Sequence, residues 1–283
     1  MNKHTVAGIV VLGLMAGILR SLNGCGGREE LQSLSAGEHG SIAMAGSTSM
    51  ERFARIVSEC FMEEHAGVTV TTEFTGSSAG VEAVLDGRAD VGLCSRELTK
   101  EEQNAGAVAS VVAVDGIAVV ANTDNLVREL TTAELVGIYT GRIRDWSEVG
   151  GRTEPIVVVG REAGSGSRST FEELLGINDC CKYANEVDSE GAVMARTAVT
   201  PGAIGYVSLE VCNDTVCRID LEGVEAAEET VRNGTYPLRR YFFLVTKGEA
   251  WEQSKLVQEL MAYLQSEEGK KLIRMAGLVI PEK

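Results

Sequence analysis

Two hydrophobic periods take turns along this chain. Met50, Phe53, Ile56, Val57, Cys60 and Phe61 recur at three- to four-residue spacing, one face of a helix, and Gly67 ends the segment. Val68, Val70, Thr72 and Phe74 then alternate with polar neighbours, the period of a strand. Val81, Val84 and Leu85 predict a short helix that stops at Gly87, and Asp90 to Cys94 a further strand. With a short strand through Ile42 and Met44, where order begins at Ser41, the first part of the chain reads β-α-β-α-β. That alternation implies a parallel sheet with helices on its faces.

The pattern continues downstream. The nearly all-apolar run from Val111 to Ala121 predicts a buried strand that could pass between two domains. Thr131-Thr132 caps a helix reaching Tyr139, Ile156 to Val159 is a buried strand, and a helix covers Ser169 to Leu175. Gly191 to Val199 reads as helix, Gly202 to Val207 as a turn into a strand, and Tyr241 to Val245 as another buried strand. A C-terminal helix runs from about Trp251 through Leu264, and no internal repeat is evident.

The amino end follows a different logic. Lys3 precedes the apolar run Thr5–Leu19, which falls short of the roughly 20 residues that a membrane-spanning helix needs. Residues 1–24 therefore read as a secretory signal. The run leads into Leu22-Asn23-Gly24-Cys25, which is similar to a bacterial lipobox and implies cleavage before Cys25 and lipidation of its sulfur. Asn23 and the nearby Arg20 are unusual there, so an uncleaved anchor and ordinary secretion stand as alternatives. On the lipobox reading, residues 25–40 are a lipidated polar tether that holds a soluble domain at the outer face of the cell membrane.

Composition narrows the function. The 283 residues are 44% hydrophobic and 24% charged, as in a folded chain of one or two domains. There are 26 basic against 41 acidic residues, a net charge of −15. Such a chain has no general field for nucleic acid or anionic lipid, so any anion site must be local. Besides Cys25, the cysteines are Cys60, Cys94, Cys180, Cys181, Cys212 and Cys217. They form no CxxC pair, and His4, His39 and His65 are not at ligand spacing from them, so no metal and no cofactor is expected. Cys60 and Cys94 read as core thiols, whereas Cys212 and Cys217 flank the turn signal Asn213-Asp214 and are either free or bridged.

Candidate chemistry lies in three glycine–hydroxyl loops: Gly46-Ser47-Thr48-Ser49, Gly76-Ser77-Ser78-Ala79-Gly80 and Ala163-Gly164-Ser165-Gly166-Ser167. Each follows a strand and precedes a helix, where unpaired amides and a positive dipole end favour an anion. One such loop is an ordinary N-cap and tight turn. Three in one α/β chain point to a ligand, because open α/β sheets bind at the carboxyl ends of their strands. Arg161, four residues before Ser165, can supply a fork-shaped cation. Two decoys fall away. Gly76 to Gly80 matches the G-x-S-x-G nucleophile elbow, but no histidine is placed to serve Ser78 as a base. The third loop lacks the lysine of a nucleotide-binding P-loop.

Six segments, GSTSM at 46–50, TGSSAG at 75–80, DVGLCSREL at 90–98, ELVGIYTGRIRDW at 134–146, GREAGSGS at 160–167 and PGAIGYV at 201–207, together resemble the phosphate-binding lipoproteins of bacterial ABC phosphate importers. The resemblance implies a type II periplasmic-binding-protein fold: two α/β domains, two crossover strands and a ligand in the cleft. One domain would comprise 41–121 and 240–283, the other 122–239. It implies capture of inorganic phosphate by a monomer that makes or breaks no bond and delivers its ligand to permease subunits. The ligand residues it implies are Thr48 and Ser49, Ser77, and Arg161, Ser165, Gly166 and Ser167. Better-known members carry an Asp where this chain has Ser95, and that Asp accepts the proton of hydrogen phosphate and rejects sulfate. Ser95 can donate as well as accept, so Asp115, set in the apolar run Val114-Asp115-Gly116-Ile117, is a candidate replacement acceptor. The weakened acceptor leaves sulfate or molybdate as alternative ligands, and a surface phosphate sensor without transport as an alternative role.

Overall fold

One strand belongs to both halves of the sheet. The computed structural model describes residues 39–281, and the signal, the lipidation site Cys25 and the tether through residue 38 lie outside the described residues. In chain order the strands are β1 (Gly40–Gly46), β2 (Val68–Phe74), β3 (Val91–Cys94), β4 (Ala107–Ala121), β5 (Glu129–Leu130), β6 (Val157–Arg161), β7 (Asn185–Val187), β8 (Ala203–Ser208), β9 (Cys217–Leu221) and β10 (Arg239–Lys247). The helices are α1 (Glu51–Glu64), α2 (Ser77–Leu85), α3 (Lys100–Asn104), α4 (Thr132–Tyr139), α5 (Gly166–Leu174), α6 (Glu190–Val199), α7 (Glu228–Arg232), α8 (Lys255–Gln265) and α9 (Glu267–Met275). The shared strand is β4: residues 107–116 pair antiparallel with β10, and residues 117–121 pair antiparallel with β8. The strand order is β2-β1-β3-β10-β4-β8-β6-β7.

On one side of β4, strands β1, β2 and β3 run parallel; on the other, β6, β7 and β8 do. Each parallel group presents the carboxyl ends of its strands at one edge, which is where the glycine–hydroxyl loops leave it. The chain is thus the mixed α/β architecture of the type II periplasmic-binding-protein fold.

Buried apolar side chains collect in two large clusters. The first joins Ile42, Met44, Phe53, Phe61, Leu260 and Ile273, packing α1, α8 and α9 on the β1 side. The second joins Val119, Tyr139, Trp146, Val159, Phe171 and Tyr206 on the β8 side. The predicted helical face is what α1 buries, since Phe53, Val57 and Phe61 are all inside while Glu51 and Arg55 pair outside at i,i+4. Thr131 caps α4 through a capping box with Glu134.

Departures from the predicted elements have local causes. Val111 is 47% exposed because a bulge interrupts the β4–β10 register between Phe242 and Phe243, breaking the in/out alternation. The C-terminal helix is two helices: Ser266 leaves helical geometry and its hydroxyl accepts from the Gly269 amide, capping α9. Helix α5 starts three residues earlier than Ser169, at Gly166, with Ser165 as its cap. The short strands β5, β7 and β9 carry too few residues for a readable period. No helix among the described residues is long and apolar enough to cross a membrane.

Candidate functional site

The three loops meet. Loop one leaves β1, and Thr48–Met50 form a 3-10 turn that feeds α1. The Gly46 carbonyl accepts from both the Thr75 and Gly76 amides at 2.9 Å, which fastens loop two to loop one. Gly76 sits at φ +95, a conformation that strains any other residue, and so aims α2 back toward the same edge. Loop three arrives from the other half of the sheet: the Ser78 amide donates to the Gly164 carbonyl at 3.2 Å, and Thr170 Oγ1 donates to the Ser95 carbonyl at 3.0 Å. The tightest approach is at Gly166, where an added methyl would overlap the hydroxyl oxygens of Ser77 and Ser95.

Hydroxyls line this meeting point. Ser49, Ser47 and Ser95 are linked Oγ to Oγ at 2.8 Å per step, and Ser95 reaches Ser77 at 3.3 Å. Either partner can donate in each of these pairs, so the string can turn its protons toward or away from a ligand. Thr48 Oγ1 is buried and has no hydrogen-bond partner, which costs about 1–3 kcal/mol unless something meets it. Gly166 and Ser167 occupy the first turn of α5, where backbone amides have no intrahelical acceptor.

Arg161 ends β6 and is 1% exposed, but its charge is already matched. Nε and Nη2 donate to Glu162 at 3.0 Å each, Nη2 also to the Asp188 carbonyl at 3.2 Å, and Nη1 to Glu190 Oε1 at 2.9 Å. These bonds use four of the five guanidinium N–H groups, leaving one on Nη1. Glu190 is itself buried; Oε1 also accepts from Ser167 Oγ at 2.6 Å and Oε2 from the Ser208 amide at 2.8 Å.

A second arginine completes the network. Arg240 donates from Nε to Asp115 Oδ2 at 2.8 Å and from Nη1 to Ser167 Oγ at 2.7 Å. Asp115 Oδ1 accepts from Ser208 Oγ at 2.9 Å. Burial raises the Asp115 carboxyl above its ordinary range, and the Arg240 guanidinium and the Ser208 hydroxyl pull it back in part. Asp115 therefore stands behind Arg240, and its path to the loops runs through that guanidinium to Ser167. Two guanidiniums face the carboxylates of Asp115, Glu162 and Glu190, so the site holds no surplus of positive charge.

Thr48, Ser49, Ser77, Ser95, Gly166 and Ser167 are thus brought into one buried neighbourhood, with Arg161 and Asp115 tied in through Glu190 and Arg240. Ser165 is buried too; its Oγ accepts from the Arg168 amide at 3.3 Å as the α5 cap, a bond that leaves the hydroxyl its own proton to donate. Glu190, Arg240 and Ser208 were missed in the sequence, and Ser47 was read there only as a member of its loop. A signal for Arg240 existed: two basic residues, Arg239 and Arg240, open the apolar run Tyr241–Val245 as one acidic residue interrupts Val111–Ala121, and Arg240 and Asp115 are cross-strand partners. Glu190 gave none, because an acid in the first turn of a helix is ordinary.

Beside the loops opens a cavity of about 540 Å³ whose lining includes Thr48, Arg52, Glu190 and Glu210. Glu210 is buried with both carboxyl oxygens unpartnered; burial first, then Asp115 and Glu190, push it up to about 9, against the pull of Arg52 and Arg240. Among the described residues the hydrogen-bond partner of the Ser78 hydroxyl is a cation, with Arg96 Nη2 donating to Ser78 Oγ at 3.0 Å, and His65 stacks on Phe61 at the far end of α1. Cys60, Cys94, Cys180, Cys181, Cys212 and Cys217 all carry free thiols.

A two-sided sheet with helix N-termini from both sides converging on a buried polar pocket defines a ligand-capturing receptor. The PBP superfamily domain model matches residues 32–268, most of the chain. The chain is 33% identical over 278 residues to the phosphate-binding protein PstS of Bacillus subtilis, covering 94% of this chain and 91% of that one. A putative phosphate ABC transporter substrate-binding protein with bound phosphate from Clostridium perfringens superposes with a TM-score of 0.82 at 32% identity, covering 86% of this chain and all of that one. An ABC-type phosphate transport receptor from Vibrio cholerae gives 0.72 at 33% identity, covering 85% of this chain and all of that one. The chain belongs to the PBP superfamily and, within it, to the family of the PstS phosphate-binding proteins.

Proposed function

We propose that this protein captures inorganic phosphate outside the cytoplasm and delivers it to the permease of an ABC importer. The observation that carries the reading is the convergence itself: loops from both parallel groups close on one point, with the Gly166 backbone pressed against Ser77 and Ser95 and the buried Thr48 hydroxyl unpartnered beside them. Thr48, Ser49, Ser77, Ser95, Arg161, Ser165, Gly166 and Ser167 make the ligand shell, and Asp115 supports it from behind. Residues 41–121 with 240–283 form one lobe and 122–239 the other. The protein acts as a monomer, tethered by a lipid on Cys25 to the outer face of the membrane, and performs no chemistry on its ligand.

Binding has to replace the water around a small, doubly charged ion. Because Arg161 is paired with Glu162 and Glu190, the charge is met mainly by dipoles: the amides of Ser49, Gly166 and Ser167, the hydroxyls, and the one uncommitted N–H of Arg161. Hydrogen bonds to a charged group contribute about 1.5–3 kcal/mol each, enough in sum to offset desolvation. Donors come from both lobes, so the ion favours the form in which the lobes are closed. Calorimetric titration of the purified protein with phosphate, sulfate and molybdate tests the reading. It predicts one phosphate per chain, held at least 100-fold more tightly than the other two. Equal or tighter binding of sulfate or molybdate, or no phosphate binding, would refute it.

A further inference from the structure

The inner ring of the site has no cation to spare and the whole chain carries a net charge of −15, so a dianion arriving from solvent needs a local attraction. The cavity of about 540 Å³ beside the loops holds one. It lies between α1, whose Phe53 packs on the β1 side of the sheet, and the first turn of α6, whose Val193 packs on the β8 side. Thr48 lines it and carries a buried hydroxyl with no partner. Arg52 lies four residues further on, one helical turn away on the same face. Its two hydrogen bonds go to backbone carbonyls, those of Met275 at 3.2 Å and Glu210 at 3.5 Å, and no carboxylate pairs with it among the described residues.

The other charges on the cavity wall leave Arg52 standing. Glu51 and Arg55 pair with each other at 2.8 Å, and Glu190 is bonded to Arg161 at 2.9 Å. Burial pushes Glu210 up to about 9, so at neutral pH it is protonated and does not cancel the guanidinium. Glu59 is exposed and stands seven residues beyond Arg52, about 10 Å along the helix. On the opposite wall are Glu190 and Gly191 in the first turn of α6, where amides lack intrahelical acceptors and the helix dipole is positive. An added methyl at Gly191 would meet nothing within 4 Å, so this stretch of backbone is open.

We propose that Arg52 and the amino end of α6 form an outer capture site that receives inorganic phosphate from solvent and passes it to Thr48 and the inner loops. The inference rests on the phosphate-binding reading and adds to it the residue that sets the rate of capture. The inner shell holds the ion with dipoles, whose fields fade within a few bond lengths. An unneutralised guanidinium reaches further, to about 10 Å at 0.1 M salt. Arg52 is exposed, so it attracts the ion without stripping its water and does not detain it. The Thr48 hydroxyl, one turn away, is the next donor on the way in. Charges at the rim of a site act on association and its salt dependence, whereas buried pairs act on dissociation. At about 8 Å in water, a unit charge and a dianion attract by an amount worth roughly 5-fold in encounter rate.

Rapid-mixing kinetics of the purified protein with inorganic phosphate measure association and dissociation separately, and a merely structural role for Arg52 would not split them. Arg52→Gln should slow association roughly 5-fold at low salt and leave dissociation unchanged. Arg52→Lys keeps the charge and should keep the rate. Gly191→Glu tests the opposite wall without touching Arg52: it sets an anion in open space and should slow association by a similar factor, while Gly191→Gln, of the same shape, should not. All of these differences should shrink in about 1 M salt, where screening cuts the reach of a charge to about 3 Å. If the wild type binds phosphate but Arg52→Gln and Gly191→Glu associate at its rate, the inference is overturned and the phosphate reading stands. A loss confined to dissociation, or one that persists undiminished in high salt, overturns it equally. Absence of phosphate binding in the wild type would overturn both.

Discussion

Gly166→Ala separates the cost of closing on the ligand from the cost of folding. Gly166 opens α5 with ordinary helical geometry, so alanine fits its backbone, and an alanine in a helix is favoured over glycine by about 1 kcal/mol. Seen from its own half of the sheet, the change is neutral to stabilising. Seen across the seam, the new methyl occupies the space of the Ser77 and Ser95 hydroxyl oxygens, both on the opposing half. Neither serine can step aside freely, because Ser77 Oγ accepts from the Ser95 amide at 3.1 Å and Ser95 Oγ is bonded to Ser47 Oγ at 2.8 Å. Overpacking of this kind costs about 1–3 kcal/mol. Since the clash exists only when the loops meet, it falls on binding, a loss of roughly 5- to 150-fold in phosphate affinity. Calorimetry gives the affinity, and thermal unfolding without phosphate gives the stability. The expected pair is weaker binding with an unfolding midpoint unchanged or raised. Unchanged affinity, or an affinity loss matched by an equal loss of ligand-free stability, would refute the proposed seam.

Three further perturbations probe separate parts of the account. Arg161→Met leaves Glu190 buried without its cation, and should cost about 3–5 kcal/mol in denaturant unfolding as well as abolish phosphate binding at micromolar concentrations; a variant of native stability would contradict the ion-pair assignment. Glu210 is held near 9 in the folded chain against an ordinary 4.5, so its contribution to stability is complete below 4.5 and drains away as pH climbs toward 9. Glu210→Gln, which copies the neutral acid, should therefore match the wild type near pH 4.5 and exceed it by about 3 kcal/mol at pH 7, and parallel pH profiles would count against the buried, unpartnered carboxyl. Gly76→Ala forces a side chain into φ +95 and should destabilise the ligand-free protein by about 1–2 kcal/mol, read as a lowered midpoint in thermal melts.

Much of this architecture is written locally in the chain. The alternation of Val68, Val70, Thr72 and Phe74 is strand β2 residue for residue, because one face of that strand packs on α1 and a single buried face imposes the period. The three loops were legible for the same reason: glycine next to hydroxyls at a strand–helix junction is a local signal. Other features depend on what lies across the sheet. The exposure of Val111 follows from a bulge in its pairing with β10, a strand more than a hundred residues away. The break at Ser266 is a capping event inside an otherwise unbroken apolar period. The inner ring of the site is harder still. Arg240 and Asp115 become partners through strand register, and Glu190 reaches Arg161 and Ser167 through the way α6 follows β7, so their chemistry exists only once the chain is folded.

The central claim is that helix ends and hydroxyls from both halves of the molecule enclose one oxyanion. A crystal structure of the purified protein at saturating phosphate addresses it most directly. The account predicts a single phosphate in contact with Thr48, Ser77, Gly166 and Ser167 together, with one Nη1 hydrogen of Arg161 on the ion and the Arg161–Glu190 pair intact. Phosphate seated elsewhere, or touching the loops of one half alone, would contradict it.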